Sequence, residues 1–113
     1  MKANSVKKEQ AILDGKPVEG IAIQWLISKK DGTKELTMRC FTMNPDIITK
    51  IHKHPWEHIL YILEGKGRIY TDKRWITAKP GDVFFIHENE CHGYCSETRF
   101  VFLCVIPNIG DTR

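Results

Sequence analysis

Short apolar segments separated by turn-forming residues recur along the chain. Residues 21–28 read IAIQWLIS and are followed by Asp31-Gly32, a dipeptide typical of hairpin turns, after which residues 35–43 read ELTMRCFTM. Turn signals that return roughly every 8 to 12 residues indicate an all-β sandwich or barrel. A short helix is considered only for residues 5–13, where the apolar pattern is weak. We predict about nine short strands, over residues 21–28, 35–43, 50–54, 58–63, 68–71, 74–77, 82–86, 91–95 and 99–106.

Several predicted strands are apolar on both faces, among them IAIQWLI, ILYIL and FVFLCVI. This pattern indicates that neither face of those strands meets water. One face would fill the interior of the fold, and the other would meet a second sheet or a second subunit. We therefore predict an all-β jelly roll with an internal cavity, which forms a homodimer through one sheet.

Length and charge place the chain among ordinary globular domains. With 113 residues, of which 42% are hydrophobic and 27% charged, one domain is expected and disorder is not. The net charge of +3 comes from dispersed basic residues, so nucleic acid is not favoured as a partner. No apolar run is long enough to cross a membrane, and no signal-peptide pattern follows the first lysines, so we expect a cytoplasmic protein without membrane contact. In that compartment the cysteines are expected as reduced, buried thiols: Cys40, Cys91, Cys95 and Cys104.

Three of the five histidines fall in the heptapeptide HKHPWEH, which begins at His52. Side chains two positions apart in a strand share a face, so His52 and His54 are expected to project together. The intervening proline starts a turn, after which His58 opens the next strand close to the first pair. His92, in the later stretch CHG, is the fourth candidate. Neutral imidazoles bind divalent metals well, so this convergence predicts a metal site.

Two stretches resemble the paired motifs of the cupin family. HKHPWEHILYILEG is similar to the first motif, in which an HxH pair precedes a glutamate and a glycine, with His52 and His54 as the pair and Gly65 as the glycine. GDVFFIHENECHGYCS is similar to the second motif, with Gly81 and His92 in register. The resemblance implies a single all-β domain with a cupin-type jelly-roll barrel, also called a double-stranded β-helix. Its expected parts are an N-terminal arm over residues 1–18, the barrel over 19–107 and a C-terminal tail over 108–113.

The first motif departs from the family pattern at its metal-binding glutamate. This chain has His58 there, with Glu57 directly before it. The histidine is similar to a subset of small single-domain cupins with four-histidine centres, in which manganese or another divalent ion is found. The resemblance therefore implies His52, His54, His58 and His92 as metal ligands, with Glu57 as the rival of His58. Manganese is the metal implied by resemblance, and Fe, Zn, Cu, Ni and Co also suit imidazole.

Four imidazole ligands have chemical consequences. Every ligand must lose its proton, so we expect metal binding to weaken as the pH falls through about 6.5. Four ligands leave two adjacent positions of an octahedral shell open to substrate, water or dioxygen. His87, at the tip of the second-motif turn, is expected as a rim residue and not as a ligand.

An apolar pocket is expected beside the histidines. Trp56 is placed at its mouth, and the resemblance places Cys104 near the metal, where its thiol is either an oxidisable neighbour or buried filler. For each aromatic residue, core packing is the alternative to substrate contact. The predicted wall consists of Ile23, Trp25, Leu36, Met38, Ile62, Phe84, Phe102 and Cys104.

These features predict chemistry centred on a metal ion, because no nucleophile or separate acid–base pair is recognisable. We expect a small metal-dependent oxidoreductase or dioxygenase acting on a small organic molecule at the open positions of the metal. One alternative is a non-enzymatic cupin that binds a small ligand through the metal for sensing or storage. A purely structural ion is the other alternative.

Overall fold

Two facing β-sheets form the protein, and the computed structural model describes residues 5–112. The described strands form a six-stranded sheet with the order β1-β2-β3-β9-β4-β7 and a three-stranded sheet with the order β6-β5-β8. This jelly-roll sandwich confirms the predicted fold class, although the sheets do not close into a barrel. The strands are β1 (Glu9–Leu13), β2 (Lys16–Ile27), β3 (Leu36–Met43), β4 (His58–Glu64), β5 (Gly67–Thr71), β6 (Arg74–Ala78), β7 (Val83–Ile86), β8 (Gly93–Ser96) and β9 (Phe100–Pro107), with 3-10 helices at Lys29–Asp31 and Asn108–Gly110.

The core lies between the two sheets and follows the strand alternation. In β4, Leu60 and Ile62 are fully buried, whereas Ile59 and Tyr61 are exposed on the outer face. Tyr94 of the small sheet packs on Phe102 of the large sheet, with ring centroids 4.9 Å apart. Burial of such side chains stabilises the sandwich by about 1.5 to 3 kcal/mol each.

The sequence prediction fails in the two segments that carry the motif histidines. Residues 50–54 form no ladder strand, and His52 makes only an isolated antiparallel bridge with His92. Residues 82–95 form no hairpin either, because β7 pairs with β4 in the large sheet while β8 pairs with β5 in the small one. The second motif is therefore a crossover between sheets, and its last histidine meets the first motif by a backbone bridge.

The N-terminal segment also differs from expectation. The helix considered for residues 5–13 is wrong, because Glu9–Leu13 pairs with β2 as a strand. A weakly amphipathic helix would have little apolar surface to pack, whereas pairing with β2 satisfies the backbone groups and buries Ala11. Asp14 and Gly15, with φ angles of 51° and 78°, form the turn between β1 and β2. The expected N-terminal arm thus contributes an edge hairpin to the large sheet.

The four cysteines are free thiols. Cys40, Cys95 and Cys104 are buried as expected, whereas Cys91 is exposed. Within residues 5–112, no helix is both long enough and apolar enough to span a bilayer.

Gly65 offers a test of the turn that joins β4 to β5. Its φ of +82° is left-handed, and a Cβ there would overlap the carbonyl oxygen of Arg99. We expect Gly65→Ala to lower the free energy of unfolding by about 2 to 4 kcal/mol, through backbone strain plus the clash. Gly81→Ala is the matched control, since Gly81 has a φ of +92° but open space around its Cα. Urea unfolding measures both; equal losses would show that the clash contributes nothing.

Candidate metal centre

A cavity of about 520 Å³ lies between the β1–β2 hairpin and the histidine segment. This volume is within the range of small-molecule sites in proteins, roughly 300 to 1,000 Å³. Its wall combines apolar, charged and imidazole side chains. The lining residues are Glu9, Gln10, Ile12, Leu13, Asp14, Gly15, Ile23, Trp25, Arg39, His52, His54, Trp56, His58, Gly110 and Thr112.

The structure brings the four predicted histidines together. His52, His54 and His92 each offer a ring nitrogen, and these atoms lie within 4.8 Å of one another. His58 lies beside this group, with its ring centroid 4.5 Å from that of His92 and 5.4 Å from that of His54. His58 and His92 are almost completely buried, at 2% and 1% exposure. The arrangement is a compact group of three nitrogens with a fourth imidazole adjoining it.

Backbone pairing places the rings. The amide of His52 donates to the carbonyl of His92 at 2.9 Å, and the amide of His92 donates to the carbonyl of His52 at 2.8 Å. This reciprocal pair fixes the first-motif loop against the start of β8. His58 is the first residue of β4 and pairs with Ile86 of β7, so a different ladder supplies the fourth ring.

Hydrogen bonds to the backbone orient two of the imidazoles. His52 Nδ1 lies 2.9 Å from the carbonyl oxygen of Lys50, and His92 Nδ1 lies 3.0 Å from that of Glu90. A carbonyl can only accept, so each Nδ1 carries the proton in a neutral ring, and each Nε2 keeps its lone pair. Such acceptors are the outer partners that metal-binding histidines use.

Unpartnered nitrogens show that the group fits a divalent ion. His92 Nε2, His54 Nδ1 and His58 Nδ1 are buried and have no hydrogen-bond partner in the described chain. A buried nitrogen without a partner is unfavourable, by about 1 to 3 kcal/mol. A cation that accepts several of these lone pairs would remove that penalty. An all-imidazole donor set suits divalent Mn, Fe, Co, Ni, Cu and Zn, with an affinity that rises from Mn to Cu and is lower again for Zn.

The rival candidates lie at the surface. Neither Glu57 nor His58 belongs to the compact group of three histidines, but Glu57 is exposed, whereas His58 is buried beside that group. His87 is also exposed and packs against Phe85, with ring centroids 4.6 Å apart. Trp56 lines the cavity as expected and stacks on His54 at a centroid distance of 4.6 Å and an interplanar angle of 11°.

The predicted pocket wall is only partly found. Ile23 and Trp25 line the cavity, whereas Ile62, Phe102 and Cys104 are fully buried in the core and do not. Leu36 and Met38 are exposed on the outer face of β3, and Phe84 packs against the core. The inward positions of β3 are 37, 39, 41 and 43. The prediction placed Leu36 and Met38 on the inner face because they are apolar, but both lie on the outer face.

The polar residues of the cavity other than the histidines were not predicted from the sequence, and Arg39 and Asp14 are two of them. Arg39 occupies an inward position of β3, and Asp14 lies in the β1–β2 turn with its Oδ1 3.5 Å from His54 Nε2. Asp14-Gly15 has the same hairpin signal as Asp31-Gly32 and indicates this turn. Arg39 shares its strand parity with Phe41, which is the signal that places it inward.

Burial keeps the central histidines neutral. Desolvation, aided by the neighbouring His92 and Arg39 charges, lowers the pKa of His58 to about 2. Desolvation also lowers the pKa of His92 to about 4, against the opposing effect of the hydrogen bond that its Nδ1 donates to the Glu90 carbonyl. The pKa of His54 is lowered as well, by burial first and then by His52. His58 and His92 therefore stay unprotonated, and ready to bind a cation, well below the pH of about 6.5 expected for free histidine.

Comparisons with known proteins bear on this site. The family model described as "Cupin domain" matches residues 39–106. No curated protein gives a significant match. The polyketide cyclase RemF from Streptomyces resistomycificus is 30% identical with a TM-score of 0.86, covering 96% of this chain and 80% of that chain. A predicted oxalate decarboxylase from Thermotoga maritima is 26% identical with a TM-score of 0.75, covering 90% and 92%. An RmlC-like cupin from Shewanella frigidimarina is 18% identical with a TM-score of 0.77, and the match covers 91% of this chain and 84% of that chain. At this identity the similarity shows the fold alone.

The lowered pKa values predict how the metal-free protein responds to acid. Below pH 6.5 the unfolded chain takes up protons on histidines that stay neutral in the fold, so the unfolded state gains stability. The free energy of unfolding is therefore highest above about pH 6.5 and falls toward pH 4. The slope is up to about 1.4 kcal/mol per pH unit for each such histidine.

Denaturant unfolding of chelator-treated protein across this pH range measures the slope. His92→Gln should flatten it by roughly one histidine's contribution, whereas His87→Gln, at an exposed histidine, should leave it unchanged. Identical slopes in both variants and the wild type would contradict the assignment.

Proposed function

Because the chain belongs to the cupin family, we propose that it is a metal-dependent enzyme in which His52, His54, His58 and His92 hold a divalent ion facing the cavity. The observation that supports this proposal is the convergence of four imidazoles with unpartnered buried nitrogens. Manganese is the ion that the sequence resemblance implies, and Fe, Zn, Cu, Ni and Co are compatible with the same donors. The substrate would be a small organic molecule that enters the adjoining cavity.

The residues around the histidines indicate the kind of chemistry. When bound, a divalent ion supplies a Lewis acid that polarises a carbonyl or related oxygen. Trp25, Trp56 and Ile23 form an apolar wall that would exclude water and pack against a flat substrate. Among the described lining residues, Glu9 and Asp14 carry carboxylates, which are the groups suited to take a proton from a substrate carbon.

The leading form of the reaction is redox-neutral. The solved structure with 30% identity over nearly the whole chain is a polyketide cyclase. Ring closure on such a molecule requires enolisation next to a carbonyl, and the cavity offers a cation site and a carboxylate for that step. We therefore propose enolisation and carbon–carbon ring closure on a substrate rich in carbonyl groups.

An oxidative reaction is the second candidate. The oxidoreductase or dioxygenase expected from the sequence stays a prediction, favoured by the nitrogen donor set, which suits the redox-active ions Fe and Cu. A cupin that binds a small ligand through its metal without turnover is the third form of the proposal. The cytoplasmic location also stays a prediction.

Association with a second copy of the chain is part of the proposal. The outer face of β4 and β7 carries Ile59, Tyr61, Val83 and Phe85, which pair directly in register and are 43% to 63% exposed. No charged side chain interrupts these outward positions. A two-fold contact would cover this face on both partners with the same residues. The occupant that fits is therefore a second copy.

The metal and the reaction can be tested together on protein purified without a chelating tag. We expect near-stoichiometric divalent metal by elemental analysis. Under anaerobic conditions the loaded protein should exchange the acidic C–H protons of a β-ketoester into deuterated water, followed by NMR. Oxygen consumption without such exchange would instead favour the dioxygenase, and saturable binding with neither would favour the binding protein.

Matched variants identify the ligands. Loss of even an outer partner of a metal ligand weakens binding by about 10- to 100-fold, so His92→Gln and His58→Gln should each cost at least that much affinity. Glu57→Gln and His87→Gln should retain the metal, since both residues are exposed. Metal loss in Glu57→Gln with retention in His58→Gln would reverse the choice between these neighbours. Wild-type protein without metal after saturation would overturn the proposed function.

The dimer is tested by sedimentation at micromolar concentration. We expect the wild type to sediment as a dimer, and Val83→Glu with Phe85→Glu to sediment as a monomer, because buried unpaired carboxylates are unfavourable at an interface. Ile48→Glu is the control, at a residue that is 65% exposed and lies outside this face. A monomeric wild type would contradict the expected dimer.

A further inference from the structure

Arg39 is a cationic residue that the metal site does not use. It lines the cavity from the inward face of β3, with the carbon of its guanidinium 5.6 Å from the Trp25 ring centroid and 5.0 Å from that of Phe41. One terminal nitrogen, Nη2, donates to the Sγ of Cys104 at 3.0 Å. Its Nε is buried and has no hydrogen-bond partner in the described chain.

No described carboxylate neutralises this guanidinium. The ion pairs found within residues 5–112 do not include Arg39. Glu9 and Asp14 line the same cavity, but the Asp14 carboxylate lies beside His54. A thiol is a weak acceptor, so the charge is poorly compensated by the protein itself. An arginine cannot shed its proton to relieve this, because its pKa is above about 12.

The guanidinium shares its cavity with the histidines, because Arg39 lines the same wall as His54 and His58. Neutral imidazoles contribute no negative charge, and a divalent ion held by them would add positive charge to the same cavity. Glu9 and Asp14 add carboxylates to the lining, but neither is in an ion pair with Arg39 among those found in residues 5–112, so the guanidinium favours a negatively charged group of a ligand beside it.

We propose that Arg39 is the anion-binding residue of the cavity, and that its ligand is a flat, mainly apolar molecule with a carboxylate or enolate oxygen. The planar fork of arginine binds a carboxylate through two parallel hydrogen bonds. The apolar part of the ligand would pack on Trp25, Trp56 and Ile23, which share the cavity. Cys104 is a positioning residue, because its buried sulfur holds Nη2 and so limits rotation of the fork.

The inference refines the proposed function, since the anion would face the histidine-held ion. It does not depend on that ion, because the grip of Arg39 on a carboxylate requires only the cavity. The two proposals therefore separate in an experiment that compares metal-free and metal-loaded protein.

The test uses 2-naphthoate and its neutral analogue 2-naphthamide with metal-free protein at about pH 8, where histidines with lowered pKa values are neutral. Binding is measured by calorimetry and by quenching of tryptophan fluorescence, as two tryptophans line the cavity. We expect the carboxylate to bind at least about tenfold more tightly than the amide, as for other charge-assisted hydrogen bonds. Arg39→Gln should abolish that preference while retaining the affinity for the amide.

Arg68→Gln is the matched control. Its Nη2 also points at a cysteine, Sγ of Cys95 at 3.7 Å, but Arg68 does not line the cavity. This variant should keep the full preference for the carboxylate. Arg39→Lys keeps the charge without the fork and should retain only part of the preference. Circular dichroism and thermal unfolding check the fold of each variant.

Clear results would overturn the inference. If the wild type binds both probes equally, or if Arg39→Gln keeps the preference, Arg39 does not bind the anion. Should Arg39→Gln fail to fold, the wild-type preference together with its reduction in Arg39→Lys decides the question. A carboxylate preference in protein that never takes up metal would refute the proposed enzyme and leave the role of Arg39 intact. Metal uptake without the preference would refute the role of Arg39 alone.

Discussion

The reciprocal backbone hydrogen bonds between His52 and His92 hold the site together. They join the loop that connects β3 to β4 within the large sheet to the crossover from β7 to β8, at a point where neither belongs to a ladder strand. On either side of this pair, the amide of Asn89 donates to the carbonyl of His54 and the amide of Thr49 donates to that of Tyr94, so several backbone bonds fix the loop that carries the first two imidazoles. β4 then supplies His58 from a regular ladder, so the site combines a loop junction with a rigid strand. Such fixed geometry favours metal binding, because the ligands are held close to the arrangement that the ion requires.

Desolvation gives this junction its chemical character. The same burial that removes His58 and His92 from water prevents them from becoming charged. Their buried nitrogens without a hydrogen-bond partner carry a free-energy penalty that a bound cation would remove. Arg39 adds a permanent positive charge, and its hydrogen bond goes to a thiol, which is a weak acceptor. The histidines and Arg39 together give the cavity a candidate cation site with a candidate anion-binding residue beside it.

The sequence predicted the parts of the protein whose signals are local. Alternating apolar positions and turn dipeptides placed eight of the nine strands, and the density of histidines between residues 52 and 92 indicated the site. The route of the chain between the sheets was not predicted, because residues 82–95 have the pattern of a hairpin and their separation into two sheets depends on tertiary pairing. Strand parity failed at β3, where both faces carry apolar residues, and this error concealed Arg39. β1 was missed because its pattern is weak and its partner strand determines its structure.

The edge hairpin formed by β1 and β2 has a consequence for how this chain can diversify. It supplies much of the cavity wall, yet all of it precedes residue 39, where the match to the family model begins. All four imidazoles lie in the matched part, whereas the hairpin before it supplies about half of the residues that line the cavity. Substitutions in this one peripheral hairpin can therefore change which ligand the cavity prefers without altering the four histidines.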